Sequence, residues 1–153
     1  MKQTVEYVIP KYQNSLYQAA YAALQDPADA QDAVQLTFIK YYRKAPDFKD
    51  EEHLRKWLFR TVLNQAKDIR RAFWRRNRTE LNEAIAFETT ADRQLFEEVR
   101  ALPATYRIVM QLYYYEDFSV GEISQLTRLS QSAVKQRLAR GRRLLEKNLK
   151  GES

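Results

Sequence analysis

The fold is decided by residues 119–143, which read SVGEISQLTRLSQSAVKQRLARGRR. Ser119 followed three residues later by Glu122 is the pattern of a capping box, and it predicts that a helix begins there. Residues 127–129 interrupt the apolar spacing, and Ser130 predicts the start of a second helix whose apolar residues recur every four or seven positions. Two short helices joined by a tight turn indicate a helix-turn-helix.

The second of these helices is strongly basic. Between residues 128 and 150 there are eight Lys and Arg residues and one acid, Glu146. The major groove of duplex DNA accommodates an α-helix, its phosphates attract cations, and Gln, Lys and Arg side chains can reach base edges. The pattern therefore favours a DNA recognition helix. The alternative is a solvated basic helix without a partner. We favour this alternative less, because a capped helix directly precedes the basic one.

The composition indicates an all-helical protein with a polyanionic partner. The 153 residues include only three Gly and four Pro, too few turn signals for an all-β chain. The formal net charge is +6, which favours nucleic acid as the partner, with an anionic membrane surface as the second choice.

Several chemistries are excluded or disfavoured. The chain has no Cys, and His53 is its single His, so disulfides, cysteine nucleophiles and the usual His/Cys zinc sites cannot be built. His53 has charged neighbours and is expected to be a solvated helix residue. The sequence offers no phosphate-binding Gly loop and no plausible catalytic triad, so we expect no enzyme activity and no cofactor. No window is long and apolar enough for membrane insertion, and a cytoplasmic protein is expected.

The first part of the chain predicts two packed helices. Residues 5–24 are loosely helical in pattern, and Pro10 is expected to bend or open that helix. Asp26 and Pro27 predict the start of the next helix, as cap and first helical residue. One face of this helix is polar and is either solvated or directed at a basic partner; it carries Asp29, Asp32 and Gln35.

A long helix with two contrasting faces is predicted after a loop at residues 46–50. Its apolar face, spaced by three or four residues, consists of Leu54, Leu58, Val62, Ala66, Ile69 and Phe73. Its opposite face consists of Lys56, Arg60, Asn64, Lys67, Arg71 and Arg75. Like charges at helical spacing repel each other, and an anion relieves that repulsion. We therefore favour a second nucleic-acid contact over a solvated face.

The charge reverses in the middle of the chain, where six acids oppose Arg93 between residues 79 and 98. We expect residues 77–92 to be a linker, helical in part at most, between a first module (residues 1–76) and a second module (residues 93–153). The acidic linker either screens the two basic modules from each other, or lies against them in the absence of DNA, or is a solvated spacer. The second module is expected to open with a helix at Leu102–Pro103. At least one of the three tyrosines at residues 113–115 is expected in its core, because consecutive helical residues face different ways.

Three blocks of this chain resemble the sigma-70 family of transcription initiation factors, in its small extracytoplasmic-function group. Residues 29–38 (DAQDAVQLTF) are similar to the core of that family's region 2, and residues 57–71 (WLFRTVLNQAKDIRR) resemble its promoter-melting helix. The blocks that resemble its region 4 are Leu102–Pro103 with Arg107, Glu122–Ile123 and residues 134–142 (VKQRLARGR).

The resemblance implies two small helical domains and a subunit that binds core RNA polymerase, recognises the −35 and −10 promoter elements and assists melting. It places the contacts to the polymerase clamp helices at Asp29, Asp32 and Gln35. It places the −10 contacts at Phe48, Lys49, Lys56, Arg60, Asn64, Lys67 and Arg71. It places the −35 contacts at Ser130, Gln131, Ser132, Lys135, Gln136, Arg137, Ala139, Arg140, Arg142 and Arg143. The polymerase flap, promoter DNA and an anti-sigma factor are the other implied partners.

The sequence departs from the family pattern in three places. Arg128 stands where the family usually has Gly in the turn, so we expect either a left-handed backbone at Arg128 or a remodelled turn. Leu36 stands where an acid is expected, and Ser132–Ala133 replace the usual Gly-Thr at the start of the recognition helix.

Two other functions compete with the sigma factor. One is a sigma-like protein that only occupies an anti-sigma factor, which would not need the basic face of residues 56–75. The other is a plain helix-turn-helix repressor, which leaves the first module unexplained.

Overall fold

The computed structural model describes residues 2–84 and 104–149, with side chains described for residues 2–76 and 104–143. The regular elements of these ranges are helices: α1 (Val5–Leu24), α2 (Pro27–Lys44), α3 (Glu51–Ala84), α4 (residues 104–110), α5 (Val120–Thr127) and α6 (Gln131–Leu149). A π-helical turn, Gln111–Tyr115, continues α4. The predicted all-α class is confirmed.

Helices α1, α2 and α3 pack as a three-helix bundle whose ends are set by local sequence. Asp26 caps α2 by accepting a hydrogen bond from the Asp29 backbone N–H at 2.9 Å, and Pro27 is the first helical residue, as predicted. The side chains of Leu16 and Leu58 are fully buried in the bundle core. Burial of large apolar side chains, at about 1.5–3 kcal/mol each, supplies most of the stability of such a bundle.

The opening expected at Pro10 is absent, because α1 is continuous from Val5 to Leu24. Pro10 is the sixth residue of the helix and is exposed. It removes the one backbone hydrogen bond its missing N–H would have made, and the buried residues on either side, Val8 and Tyr12, keep the helix packed.

The apolar face predicted on α3 is confirmed for most of its length. Its first four members are buried, but Phe73 is 44% exposed, so its assignment to the core was wrong. The reason is length: α3 has 34 residues, against 20 in α1 and 18 in α2, and its distal part extends past the bundle. Residues 77–84 of the predicted linker continue α3, whereas residues 85–92 lie outside the described ranges.

The second module is built around the predicted helix-turn-helix. Ser119 Oγ accepts from the Glu122 backbone N–H at 3.1 Å, and Glu122 Oε1 accepts from the Ser119 backbone N–H at 2.9 Å, which confirms the capping box. Ser130 Oγ accepts from the Ala133 backbone N–H at 3.0 Å and starts α6. The predicted helix start at Leu102–Pro103 lies outside the described residues, and residues 104–110 are helical.

The expectation that a tyrosine of residues 113–115 lies in the core was wrong. Tyr113, Tyr114 and Tyr115 are 37%, 45% and 76% exposed. All three fall in the π-helical turn, which winds more widely than an α-helix and directs Leu112 inward instead.

The two modules also pack on each other. The rings of Phe59 from α3 and Phe118 from the loop before α5 meet edge to face, with centroids 5.3 Å apart, and both are buried. Arg107 Nε in α4 donates to the backbone carbonyl of Ala22 in α1 at 2.7 Å. The buried residues of both modules consequently form one continuous apolar core.

Candidate nucleic-acid interface

The polar face of α3 forms a basic stripe, here called the α3 stripe, which consists of Lys56, Arg60, Asn64, Lys67, Arg71 and Arg75. Five of these residues are exposed and Lys56 is half-buried. The buried Leu58 and Val62 orient the helix, so that residues on its opposite side must face outward. The exposure of the stripe agrees with the sequence pattern. Lys56 Nζ lies 3.0 Å from Oε2 of Glu122 in the second module.

The loop before α3 contains the one predicted DNA contact that the structure buries. Phe48 is 3% exposed and its ring packs against Tyr41 and Trp57, with centroid distances of 6.3 and 6.0 Å. In this arrangement Phe48 is a core residue that anchors the loop carrying Lys49, and its contact with the −10 element stays a prediction. A single aromatic residue in a loop gave no signal to separate these two roles.

Lys49 in the same loop is exposed, as a DNA contact requires. Its backbone N–H donates to Nδ1 of His53 at 3.1 Å, and the His53 backbone N–H donates to Asp50 Oδ1 at 2.8 Å. His53 is exposed on the first turn of α3, as expected, and it stabilises the loop conformation beside the α3 stripe.

The recognition helix α6 presents most of its predicted DNA contacts to solvent. Val134 and Leu138 are buried, and they fix which face of α6 turns outward. The exposed predicted contacts are Ser130, Gln131, Ser132, Lys135, Gln136, Arg140, Arg142 and Arg143, here called the α6 face. Arg137 and Ala139 are half-buried, beside this face.

Arg142 and Arg137 are held in different ways. Arg142 Nη1 donates to the Tyr114 hydroxyl at 2.7 Å, so that the exposed tyrosines border the α6 face. Arg137 Nη1 lies 3.4 Å from the carbonyl of Ala133 on its own helix, and its buried Nε has no hydrogen-bond partner among the described residues. Arg137 is thus less available to DNA than its neighbours.

The turn between α5 and α6 has the backbone expected from its sequence. Arg128 is left-handed, with φ of 64°, and its N–H donates to the Ser124 carbonyl at 2.9 Å. Ser124 Oγ donates to the Leu129 carbonyl at 2.6 Å, and Thr127 Oγ1 donates to the Ile123 carbonyl at 2.7 Å. These bonds hold the angle between the two helices.

A cavity of about 180 Å³ lies between the turn and α3, with apolar walls and three cations, Lys67, Arg70 and Arg128, at its lining. Burial lowers the pKa of the Arg70 guanidinium, and its buried Nη1 has no hydrogen-bond partner in the described part of the chain. The lining of this cavity therefore carries three cations and no acid.

The outer face of α2 carries the predicted polymerase contacts. Asp32 and Gln35 are exposed, and Asp29 is half-buried in the first turn. Beside them lie exposed apolar side chains that sequence reasoning did not identify as functional: Leu36, Ile39 and Tyr42 are 42%, 47% and 71% exposed. Their regular spacing of three, next to exposed Asp32, was the signal that could have revealed them.

Two kinds of feature are absent from the described part of the chain. Among the side chains described, those of residues 2–76 and 104–143, no group of three or more His, Asp or Glu is arranged to hold a metal ion. Of the helices in those ranges, none combines the length and apolarity that crossing a membrane requires.

A helix-turn-helix with an exposed basic recognition helix, joined to a helical bundle with a second basic surface, defines a DNA-binding protein of the transcription-factor class. Comparison with known families gives the finer identity. Residues 8–79 match the family model of sigma-70 region 2, and residues 92–145 match that of sigma-70 region 4.

Proteins similar to this chain along most of its length are also sigma factors. The RNA polymerase sigma factor SigZ of Bacillus subtilis (strain 168) is 27% identical over 139 residues, which cover 84% of this chain and 77% of SigZ. The ECF RNA polymerase sigma factor SigW of the same organism is 26% identical, covering 94% of this chain and 87% of SigW. A solved structure of CnrH in complex with the cytosolic domain of CnrY is similar with a TM-score of 0.63 and 26% identity, covering 97% of this chain and 88% of CnrH.

The chain belongs to the sigma-70 family of RNA polymerase sigma factors, in the extracytoplasmic-function group. It is a transcription initiation factor that directs RNA polymerase to promoters and recognises their −35 and −10 elements.

Proposed function

We propose that the two exposed basic surfaces divide promoter recognition between the modules: the α6 face binds the −35 element and the α3 stripe binds the −10 element. The first module, residues 1–76, and the second, residues 93–153, then act as separate binding units joined by residues 77–92. The observation that carries this proposal is the exposure of nearly every predicted contact on both helices, each opposite a buried apolar face.

At the −35 element, the exposed Lys135, Gln136 and Arg140 are suited to read base edges from the major groove, with Ala139 beside them. Arg142 and Arg143 lie farther along α6, where phosphates of the groove rim would attract them. Ser130, Gln131 and Ser132 precede them at the helix start, whose free N–H groups favour a phosphate. Arg137 contributes mainly to the local positive potential.

At the −10 element, the separating DNA strands would be contacted by four exposed residues of the α3 stripe: Arg60, Asn64, Lys67 and Arg71. Lys49 would contact DNA at the edge of this surface, and Lys56 would join once it leaves Glu122. The first module assists melting by binding unpaired bases, which offsets the few kcal/mol that their unstacking costs. The action is binding rather than catalysis, so no enzyme activity accompanies it.

Core RNA polymerase would contact the outer face of α2 with its clamp helices. Asp29, Asp32 and Gln35 supply polar contacts there, and the exposed Leu36 and Ile39 add an apolar centre. Such a mixture of apolar centre and polar rim is typical of protein interfaces. The flap of the polymerase is the corresponding partner of the second module.

An anti-sigma factor is a further proposed partner. CnrH, to which this chain is similar, is solved in complex with the cytosolic domain of CnrY. We infer that this chain can be held by a comparable protein in the cytoplasm, where polymerase and the nucleoid also lie.

Run-off transcription with purified core polymerase on a library of promoters tests the proposal. We expect start sites that appear only when the chain is added. A chain that binds an anti-sigma factor but yields no new start site would be a sigma mimic, and one that binds duplex DNA without core polymerase at defined sites would be a repressor.

A further inference from the structure

The cavity between α3 and the turn of the helix-turn-helix is bounded mainly by aliphatic side chains. Its volume is about 180 Å³. The apolar residues that line it are Ala23, Leu63, Ala66, Ile108, Val109, Leu126 and Leu129. An apolar cavity of about 150 Å³ is large enough to bind benzene. The apolar part of this cavity can therefore hold a six-membered ring or a short branched chain.

The positive charge of the cavity has no counterpart among the described residues. Its lining includes three cations, Lys67, Arg70 and Arg128, and no acid. The ion pairs found in the described part of the chain use other cations. Like charges that share a partly dehydrated place repel each other, and an anion that joins them relieves the repulsion. The cavity therefore favours a negatively charged ligand.

Two of these cations lie at one end of the cavity. Lys67 and Arg70 also line a neighbouring open groove, together with Arg71, Trp74 and Arg75. Lys67 is exposed and Arg70 is half-buried. An anionic group between Lys67 and Arg70 would stay close to water while an apolar group attached to it enters the cavity. This arrangement suits an amphipathic ligand better than an inorganic ion.

Arg70 is the residue whose bonding is incomplete. Its Nη1 is buried and has no hydrogen-bond partner in the described part of the chain, although buried polar groups are nearly always hydrogen-bonded. Burial lowers the pKa of the Arg70 guanidinium. Burial and, to a smaller degree, the positive charge of Arg70 lower the pKa of Arg107 as well. A carboxylate beside Arg70 would supply an acceptor and offset the charge that these two residues share.

We propose that this cavity binds a small carboxylic acid anion, with its ring or branched aliphatic body against the apolar walls and its carboxylate between Lys67 and Arg70. A rotation of the flexible Arg70 side chain lets Nη1 donate to the carboxylate. Arg128, exposed on the turn, adds electrostatic attraction. The inference concerns binding of a small molecule by the chain alone and does not depend on the proposed function.

Titration of the isotopically labelled full chain with benzoate, followed by two-dimensional NMR, tests the site. Benzoate combines a benzene-sized body with one carboxylate. We expect saturable shifts of backbone amides around the cavity in both modules, for example at Ala66 and Leu129. The dissociation constant should be on the order of 1 mM or tighter, as expected for a ligand of this size. Benzamide lacks the charge and phosphate lacks the apolar body, so each should bind at least about tenfold more weakly.

Variants of the lining residues locate the carboxylate. Arg70→Gln should weaken benzoate binding by about tenfold or more, and it is expected to fold because Nη1 has no hydrogen bond to lose. Arg43→Gln, the same change at an exposed position of α2 outside the cavity lining, is the matched control and should bind benzoate as wild type does. Ile108→Phe narrows the apolar part without changing the charge and should also weaken binding. Lys67→Gln, at an exposed position, repeats the charge test should Arg70→Gln fail to fold.

Saturable benzoate shifts at the cavity, weakened in Arg70→Gln or Lys67→Gln and retained in Arg43→Gln, support the site. The absence of saturable shifts in wild type overturns it. Equal binding of benzamide overturns the role of the cations, and equal binding of phosphate overturns the amphipathic class of ligand. Wild-type benzoate affinity in both Arg70→Gln and Lys67→Gln places the carboxylate elsewhere and also overturns the site. Failure of run-off transcription removes the proposed function and leaves these binding results unaffected.

Discussion

Lys56 Nζ lies 3.0 Å from Oε2 of Glu122, the same residue whose Oε1 closes the capping box by accepting from the Ser119 backbone N–H at 2.9 Å. One carboxylate thus starts α5 and also joins it to α3. A local helix signal and a contact between modules share a single side chain, and its negative charge strengthens both.

The stability of the chain should depend on pH through Glu122. The Ser119 backbone N–H and, to a smaller degree, Lys56 hold the pKa of this carboxyl below its usual 4.5. A lowered folded-state pKa contributes stability that is present above 4.5 and is lost as pH falls through the folded value. We expect Glu122→Gln to have a lower Tm than wild type at neutral pH. The difference in Tm between wild type and Glu122→Gln should shrink at acidic pH. An equal difference in Tm at neutral and acidic pH would contradict the assignment of this pH dependence to Glu122.

The capping box should contribute measurably to the free energy of unfolding. Ser119→Ala removes the acceptor for the Glu122 backbone N–H and should lower the free energy of unfolding by about 1 kcal/mol. Urea denaturation followed by circular dichroism gives this value. Ser119→Thr keeps a capping oxygen and is the control, so a loss of equal size in Thr and Ala variants would argue against the cap.

Gly141 in α6 should allow that helix to pack closely against Met110 of α4. A Cβ at residue 141 would lie 2.6 Å from Met110 Sδ and 3.3 Å from its Cγ. Met110 is flexible and can move its Sδ away, but Gly141 is buried and the Cγ contact is also tight. We therefore expect an overpacking cost near the lower end of about 1–3 kcal/mol, still above the ~1 kcal/mol that Ala gains over Gly in a helix. We expect Gly141→Ala to destabilise the chain in urea. The loss should disappear or reverse in a Met110→Ala background, and equal losses in both backgrounds would rule out the clash.

Arg128 should be a strained position. An L-residue in the left-handed region costs about 1–2 kcal/mol, and Gly avoids this cost at the expense of greater freedom in the unfolded chain. With φ of 64° at this residue, Arg128→Gly should raise the free energy of unfolding by about 0.5–1 kcal/mol. Arg128→Ala, which keeps a Cβ, should not. Equal stability of the Gly and Ala variants would show that the turn carries no strain.

Lys135 and Arg140 should set promoter choice. Each is exposed on the α6 face, and loss of a bidentate base contact costs about 1–3 kcal/mol on the preferred sequence only. We expect Lys135→Ala and Arg140→Ala to redistribute start sites across a promoter library. Lys2→Ala, an exposed change at the N-terminus, serves as the control. A uniform loss on all promoters would instead identify phosphate contacts.

Local sequence was sufficient for the helix-turn-helix, the capped helix starts and the two faces of α3. Each of these features depends on residues within one or two helical turns: Ser119 and Glu122 are three apart, and the apolar and basic residues of α3 repeat at the helical period. The amphipathic pattern also predicted most of the cations of α3 and α6 that face solvent, because burying the apolar side forces the other side outward; Lys56 and Arg137 are half-buried.

Tertiary structure decided which aromatic residues are buried and how the modules meet. Phe48 is in the core because Tyr41 and Trp57, from two different helices, close around it. Tyr113 to Tyr115 are exposed because a π-helical turn shifts their directions, and the pairing of Arg55 with Glu116 joins residues 61 apart in the chain. Contacts at such separations depend on the packing of whole helices, which no short sequence pattern encodes. The chemistry of the DNA-binding faces was therefore determined by the sequence alone, whereas the contact that holds the two modules together emerged only from the fold.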